Sequence, residues 1–263
     1  MTTSGELILT DLSDQVLTIR INRLAKKNAL TLAMYEGMTA ALNRASADNE
    51  VRAVLITGSS TCFTAGNDLM DFLNNPPTSP DSPVVHFLPA LHAFAKPLVA
   101  AVCGVAIGIG TTLLLHCDLA YAGTNARFHL PFVDLGLVPE AGSSLLLPQM
   151  LGQRRAAELL MLAEPFGAEQ AREMGFVNGV FEPEEVENVA RSKALLLAAK
   201  APTALAETKR LMKAAQAELI AKTMDAELAV FGAQLQGPEA AEALQAFFEK
   251  RKPDFSKMAF SKK

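Results

Sequence analysis

Apolar positions change their period along this chain. Leu7 to Leu9 and Val16 to Ile21 are short apolar runs around polar Ser13-Asp14, the pattern of two strands and a turn. Thr31 stands where a helix N-cap belongs, and Met34, Met38, Leu42 and Ala45 recur behind it at helical spacing. Val51 to Thr57 reads as a strand ending at Gly58, and Leu98 to Val102, Cys117 to Ala122 and Val177 to Phe181 as three more. Between them, Val84 to Ala95 reads as a helix bent or restarted at Pro89, followed later by helices at Ser143 to Leu151, Arg154 to Leu162 and Ala168 to Met174. Asn74 to Pro83 is rich in Pro, Ser and Asn and reads as an exposed, mobile loop. After Pro183 the pattern is helical throughout: Glu184 to Ala199, Pro202 to Ala217, Lys222 to Leu235 and Pro238 to Lys250. Strands alternating with helices and then helices alone predict an α/β core over residues 1–199 and a helical region over residues 200–263. No repeat at a fixed residue period stands out.

Pro97 to Cys117 contains no Asp, Glu, Lys or Arg and is long enough for a membrane span. Gly104, Gly108 and Gly110 interrupt it, and a β-rich half (Leu98 to Val102) precedes a helical half (Thr111 to His116), so a buried strand–turn–helix is expected.

Composition removes several functions. Half the residues are hydrophobic and a fifth charged, enough for a sizeable core. The formal net charge is −4 and no basic stripe occurs, so nucleic-acid binding has little electrostatic basis. The three cysteines, Cys62, Cys103 and Cys117, form no CxxC pair, and the four histidines no HExxH, so neither a disulfide scaffold nor a metal site is expected. Met1 to Glu6 lacks a secretory pattern, which points to the cytoplasm. The ending Phe260-Ser261-Lys262-Lys263 lacks the leucine of a peroxisomal signal.

Three segments can carry chemistry. Gly108-Ile109-Gly110 follows a strand and opens a helix. Leu113 stands where a dinucleotide fingerprint needs glycine, and the chain has no P-loop Gly-Lys-Ser/Thr. Amides at such a turn can hold developing negative charge, or the turn is simple close packing. Phe63-Thr64-Ala65-Gly66-Asn67-Asp68-Leu69 also follows a strand and opens a short helix, with Asp68 as cap. It is either an ordinary capped turn or a second source of such an amide, at Asn67. Third, Glu140 lies between Pro139 and Ala141-Gly142 in apolar company. Desolvated there, a carboxylate gains a raised pKa and the character of a general base near neutral pH; the alternative is a loop or capping glutamate. Asp134 reads as a surface or capping acid, and His129 as a packing histidine.

These segments, in this order, resemble the crotonase (enoyl-CoA hydratase/isomerase) superfamily over nearly the whole chain. The resemblance includes Asn22-Arg23, Lys27-Asn28-Ala29-Leu30, Ala65-Gly66-Asn67-Asp68-Leu69, Lys96 to Val102, Gly104 to Gly110, Cys117-Asp118 and Phe247-Phe248-Glu249-Lys250-Arg251-Lys252. It implies an α/β fold built as a spiral of ββα units with a helical C-terminal trimerisation region, assembled as a homotrimer or a dimer of trimers. It also implies an acyl-CoA thioester substrate, CoA being part of the substrate and no separate cofactor being needed. By position, Asn67 and Ile109 supply the two amides for the thioester oxygen. Arg23, Lys26, Lys27 and Ala65 lie in segments lining the CoA moiety, and Phe231 and Lys250 match positions reaching the adenine and phosphates, often from a neighbouring subunit.

The two glutamates that hydratases resemble one another in using fall here on Thr112 and Phe132, neither of which can deprotonate water. Glu140 stands where hydratases usually carry a small residue, and Phe128 to Phe132 with Pro139 to Ser144 looks like the Δ3,Δ2-enoyl-CoA isomerase branch, whose matching glutamate is the base. The expectation is a single-glutamate isomerase. The alternatives are a hydratase or other family reaction, or a non-catalytic acyl-CoA-binding homologue.

Overall fold

The computed structural model describes residues 6–76, 79 and 81–258. Residues 1–5 and the Phe260-to-Lys263 ending, both read above for targeting, lie outside them.

Strands β1 (Ile8–Ser13) and β2 (Val16–Ile21) form the expected hairpin. Its loop residues Asp14 and Gln15 have φ of 51° and 64°, the left-handed pair whose twist suits a two-residue connection. The chain then lays strands down in pairs: β3 (Ala53–Thr57) with β4 (Cys62–Thr64), β5 (Leu98–Val102) with β6 (Val105–Ile107), and β7 (Leu119–Gly123) with β8 (Arg127–His129). The first of each pair joins a six-stranded sheet and the second a four-stranded sheet, completed by β9 (Phe166–Gly167) and β10 (Gly179–Phe181). The orders are β1-β2-β3-β5-β7-β10 and β4-β6-β8-β9, with β3, β5 and β7 mutually parallel, as are β4, β6 and β8. Successive pairs therefore spiral, as the resemblance implied.

Helix α1 (Leu32–Ala47) follows the hairpin. Its N-terminus corrects the cap expected at Thr31: the Thr31 hydroxyl has no partner, and the Leu32 N–H donates to the Asp71 carboxylate at 2.7 Å. Short α2 (Leu69–Asn74) and α3 (Pro83–His92) flank the Pro-rich loop; Pro89 sits inside α3, which does not restart there. Pro97 to Cys117 folds as β5, β6, α4 (Ile109–Thr112) and a 3-10 turn, Leu113–His116. Among the described residues no helix is long and apolar enough to cross a membrane.

Helices α5 (Ser143–Leu151), α6 (Gln153–Met161) and α7 (Ala168–Glu173) precede β10, and α8 (Val186–Ala198), α9 (Pro202–Ala214), α10 (Ala217–Leu235) and α11 (Pro238–Glu249) close the chain. Because β3, β5 and β7 are covered on both faces, their residues are buried almost without alternation. Val54, Ile56, Ala100, Val102 and Ala122 face the main core with α1 and α3. Ala53, Leu55, Val99, Ala101 and Tyr121 face α8, whose Val186, Ala190, Ala194 and Ala198 form one stripe of small residues.

Candidate active site

The site grows from the small sheet. Strands β4 and β6 are parallel neighbours, with Cys62 opposite Val105 and Thr64 opposite Ala106. Past their C-terminal ends the two chains reach Asn67 and Ile109 side by side. Glycines let them touch. A Cβ on Gly66 (φ +85°) would stand 2.7 Å from the Ile107 carbonyl oxygen, and one on Gly110 2.6 Å from Thr64 Cγ2.

The backbone on either side of Asn67 is anchored to Leu30. The Leu30 N–H donates to the Gly66 carbonyl and the Asp68 N–H to the Leu30 carbonyl, each at 2.8 Å. Among the described residues, the Asn67 N–H donates to no turn, loop or cap partner. Ile109 opens α4, so its N–H has no carbonyl one turn back to reach. Each of the two loops thus carries a backbone N–H without a backbone partner.

Glu140 arrives from a tight turn. The Ser143 N–H and hydroxyl both donate to the Glu140 carbonyl, at 3.1 and 2.6 Å, and Ala141 and Gly142 both have positive φ, 60° and 72°. The side chain points inward, leaving the residue only 9% exposed. Thr112 Oγ1 donates to Glu140 Oε1 at 2.5 Å. Thr112 closes the short helix that Ile109 opens, so the carboxylate is bonded to the same element whose first N–H is unpartnered. Burial pushes the Glu140 carboxyl up to about 7; the Thr112 hydrogen bond opposes this and the nearby negative charge of Glu227 adds to it.

Tyr35 joins the two halves. Its hydroxyl donates to Asn67 Oδ1 at 2.5 Å, and its phenol is held well above the usual range by burial and by the charge of Glu140.

The residues expected along CoA divide. Arg23 donates to Asp68 Oδ2 at 2.7 Å and to the Ala29 carbonyl at 2.9 Å, and Asp68 caps α2 through the Met70 and Asp71 N–H groups, as expected. Lys26 and Lys27 are exposed on the same loop, and the Lys27 carbonyl accepts from the Ala65 N–H at 2.9 Å. The loop carrying Arg23, Lys26 and Lys27 is thus tied to the Ala65-to-Asp68 segment that holds Asn67. Phe231 is 6% exposed and packs in this chain's own core, continuing the buried stripe Ile220-Met224-Glu227 of α10. Lys250 is the exposed left-handed cap of α11, and among the described residues no hydrogen bond or ion pair joins it to Glu140. His129 is a packing histidine, bonded at Nε2 to the Ala163 carbonyl, and Asp134 lies exposed on a 3-10 turn, both as read from sequence.

Four site residues escaped the sequence reading: Tyr35, His116, Glu227 and, as a hydrogen-bond donor, Thr112. Only Glu227 carried a visible signal, a carboxylate on the apolar stripe of an amphipathic helix.

A buried carboxyl poised near neutrality beside two free backbone donors suits proton transfer next to a carbonyl whose oxygen gains charge. Residues 11–258 match the family model described as enoyl-CoA hydratase/isomerase. The chain is similar to the 2,3-dehydroadipyl-CoA hydratase of Escherichia coli, 33% identical over 95% of this chain and 98% of that protein. It is also similar to enoyl-CoA delta isomerase 2 of Rattus norvegicus, 33% identical over 94% of this chain and 64% of that protein. A structure of Pseudomonas aeruginosa OdaA superposes with a TM-score of 0.91 at 52% identity, covering 92% of this chain and 99% of that one. The chain belongs to the enoyl-CoA hydratase/isomerase family and has its crotonase fold.

Proposed function

We propose that this enzyme moves the double bond of a 3-enoyl-CoA to the trans-2 position, with Glu140 as the sole proton carrier. One observation carries the reading: the position expected to hold a hydratase glutamate is Thr112, and its hydroxyl is engaged with the Glu140 carboxylate. The C2 proton of the substrate is acidified by both the thioester carbonyl and the adjacent alkene. Ionised Glu140 takes that proton, and the electron pair shifts onto the thioester oxygen to give a dienolate. The Asn67 and Ile109 N–H groups stabilise this oxygen; losing one such donor costs roughly 3 kcal/mol in comparable sites. Protonated Glu140 then delivers the proton to C4, and the carbonyl and the 2,3 double bond form as the charge returns. Phe132, buried near Leu137, supports a dry pocket that disfavours attack by water.

Arg23, Lys26 and Lys27 are assigned to the CoA moiety at the rim. Trimer formation is proposed through the helical C-terminal region, where Leu211 and Met212 on α9 are 65% and 81% exposed; light scattering at micromolar concentration tests it.

Because the base must be ionised, kcat/KM falls as pH drops through about 7, the value at which Glu140 protonates. Glu140→Gln and Glu140→Ala test the assignment. Near-wild-type isomerisation of 3-enoyl-CoA by either variant would overturn it. The hydratase reading has the Escherichia coli relative in its favour. It predicts 3-hydroxyacyl-CoA from 2-enoyl-CoA, against little or none from the isomerase.

A further inference from the structure

The turn carrying Glu140 does not hold itself. Ala141 is a non-glycine residue at φ +60°, 1% exposed, and such a conformation persists only where its surroundings fix it. Two side chains distant in sequence do so. His116 binds the Ala141 carbonyl through Nε2 at 2.8 Å, so that nitrogen carries the proton. Glu227, from α10, accepts the Gly142 N–H at 2.6 Å on Oε2 and both the Ser144 N–H (2.9 Å) and the Ser144 hydroxyl (2.5 Å) on Oε1. Glu227 is 7% exposed and all three partners lie within four residues of Glu140.

We propose that Glu227 is a positioning residue for Glu140: from the C-terminal helical region it locks residues 142–144 and thereby aims the Glu140 carboxylate at the Thr112–Ile109 side of the site. The proposal rests on the reading of Glu140 as the base. Among the described residues Glu227 hydrogen-bonds neither Glu140 nor the Asn67 and Ile109 N–H groups, so its action is through the turn and through its charge. Around this corner the titratable groups are Tyr35 from α1, Glu227 from α10 and His116 from the 3-10 turn. Behind His116 stand His92 of α3 and Lys209 and Lys213 of α9. Burial holds His116 down to about 4, so it is neutral throughout the working range, and Glu227 is the acid beside the turn.

Removing that negative charge lowers the pH at which Glu140 ionises. Glu227→Gln keeps the shape of the side chain, loses the charge and cannot accept all three hydrogen bonds. The expected result is a kcat lowered by about tenfold to a hundredfold, a KM for 3-enoyl-CoA within about twofold, and an acid limb of kcat/KM moved to lower pH by about half a unit or more. Ile220→Ala, which removes packing from the same stripe without altering charge, lowers the melting temperature and leaves the limb in place. If Glu227→Gln does not fold, Glu227→Asp and Ser144→Ala serve: both keep the charge and loosen the clamp, so kcat falls with the limb unmoved. A folded Glu227→Gln with wild-type kcat and limb overturns the positioning role, as does wild-type kcat in both substitutes. Glu140→Gln in the same series separates the two levels. Retained turnover there overturns the base itself, whereas lost turnover beside an unaffected Glu227→Gln overturns only the role of Glu227.

Discussion

Two interiors of this molecule are equally dry and differently made. Between the large sheet and α8, Leu55, Val99 and Ala101 meet Ala190, Ala194 and Ala198; the strand backbone is satisfied by its ladder, and the layer is apolar but for a tyrosine and a cysteine. At the Glu140 corner, burial is as deep, yet it holds a carboxyl, an alanine at positive φ and a free N–H at the head of α4. Sequence pattern, propensity and packing agree in the first interior and conflict in the second. Conflicts that survive in a folded protein mark where chemistry was placed ahead of stability.

The contrast is broken most sharply at Glu140. Glu140→Gln is expected to lower isomerisation by about a thousandfold and at the same time to stabilise the fold. In the folded state this carboxyl protonates at about 7 against an ordinary 4.5. Its contribution therefore favours folding fully below about 4.5 and is lost as pH rises through 7. Above 7 the wild type carries a penalty on the order of 3 kcal/mol that glutamine lacks. Denaturant unfolding at pH 8 should rank the variant above the wild type, and at pH 4.5 the gap should close; a variant less stable at pH 8 contradicts the buried-charge account.

Gly110→Ala comes next. Its Cβ would meet Thr64 Cγ2 at 2.6 Å and force the two donor-bearing loops apart. Steady-state assay should show kcat down about a hundredfold, with the fold retained by circular dichroism. Tyr35→Phe, which frees Asn67 Oδ1, should lower kcat several-fold to tenfold, in line with about 1 kcal/mol for one hydrogen bond, and leave KM nearly constant. The smallest effect on turnover belongs to the other interior. Ala194→Leu overfills the α8 layer and should lower unfolding free energy by about 1–3 kcal/mol, while kcat per folded enzyme stays close to wild type.

Much of this was readable from residue order. β2, β5 and α5 fall where apolar runs and capping residues place them, and β3, β7 and the C-terminal helices differ only at their ends. The small sheet was not legible. Its strands span two or three residues each, too few for an alternation to register, although they carry the two donor loops. The spiral was equally hidden as a repeat, because its strand pairs begin at the unequal positions Ala53, Leu98 and Leu119, with α2 and α3 inserted in the first interval. Glu140, Asn67 and Ile109 were found because each sits beside glycine or proline. Thr112 and Tyr35 lie in helices with no local mark, and only the fold brings them to the carboxylate and to Asn67. Asp71 displaced Thr31 as the α1 cap for the same reason: its partner comes from another turn of the spiral.

The near-complete enclosure of Glu140 has an isotopic consequence. A carboxyl only 9% exposed meets little solvent with which to exchange its hydrogen. Under the proposed shuttle, the hydrogen taken from C2 is still on Glu140 when C4 is ready to receive it. Isomerisation run in heavy water should therefore yield product whose C4 hydrogen comes largely from the substrate itself, and the label acquired per turnover becomes a clock for how long the pocket stays shut.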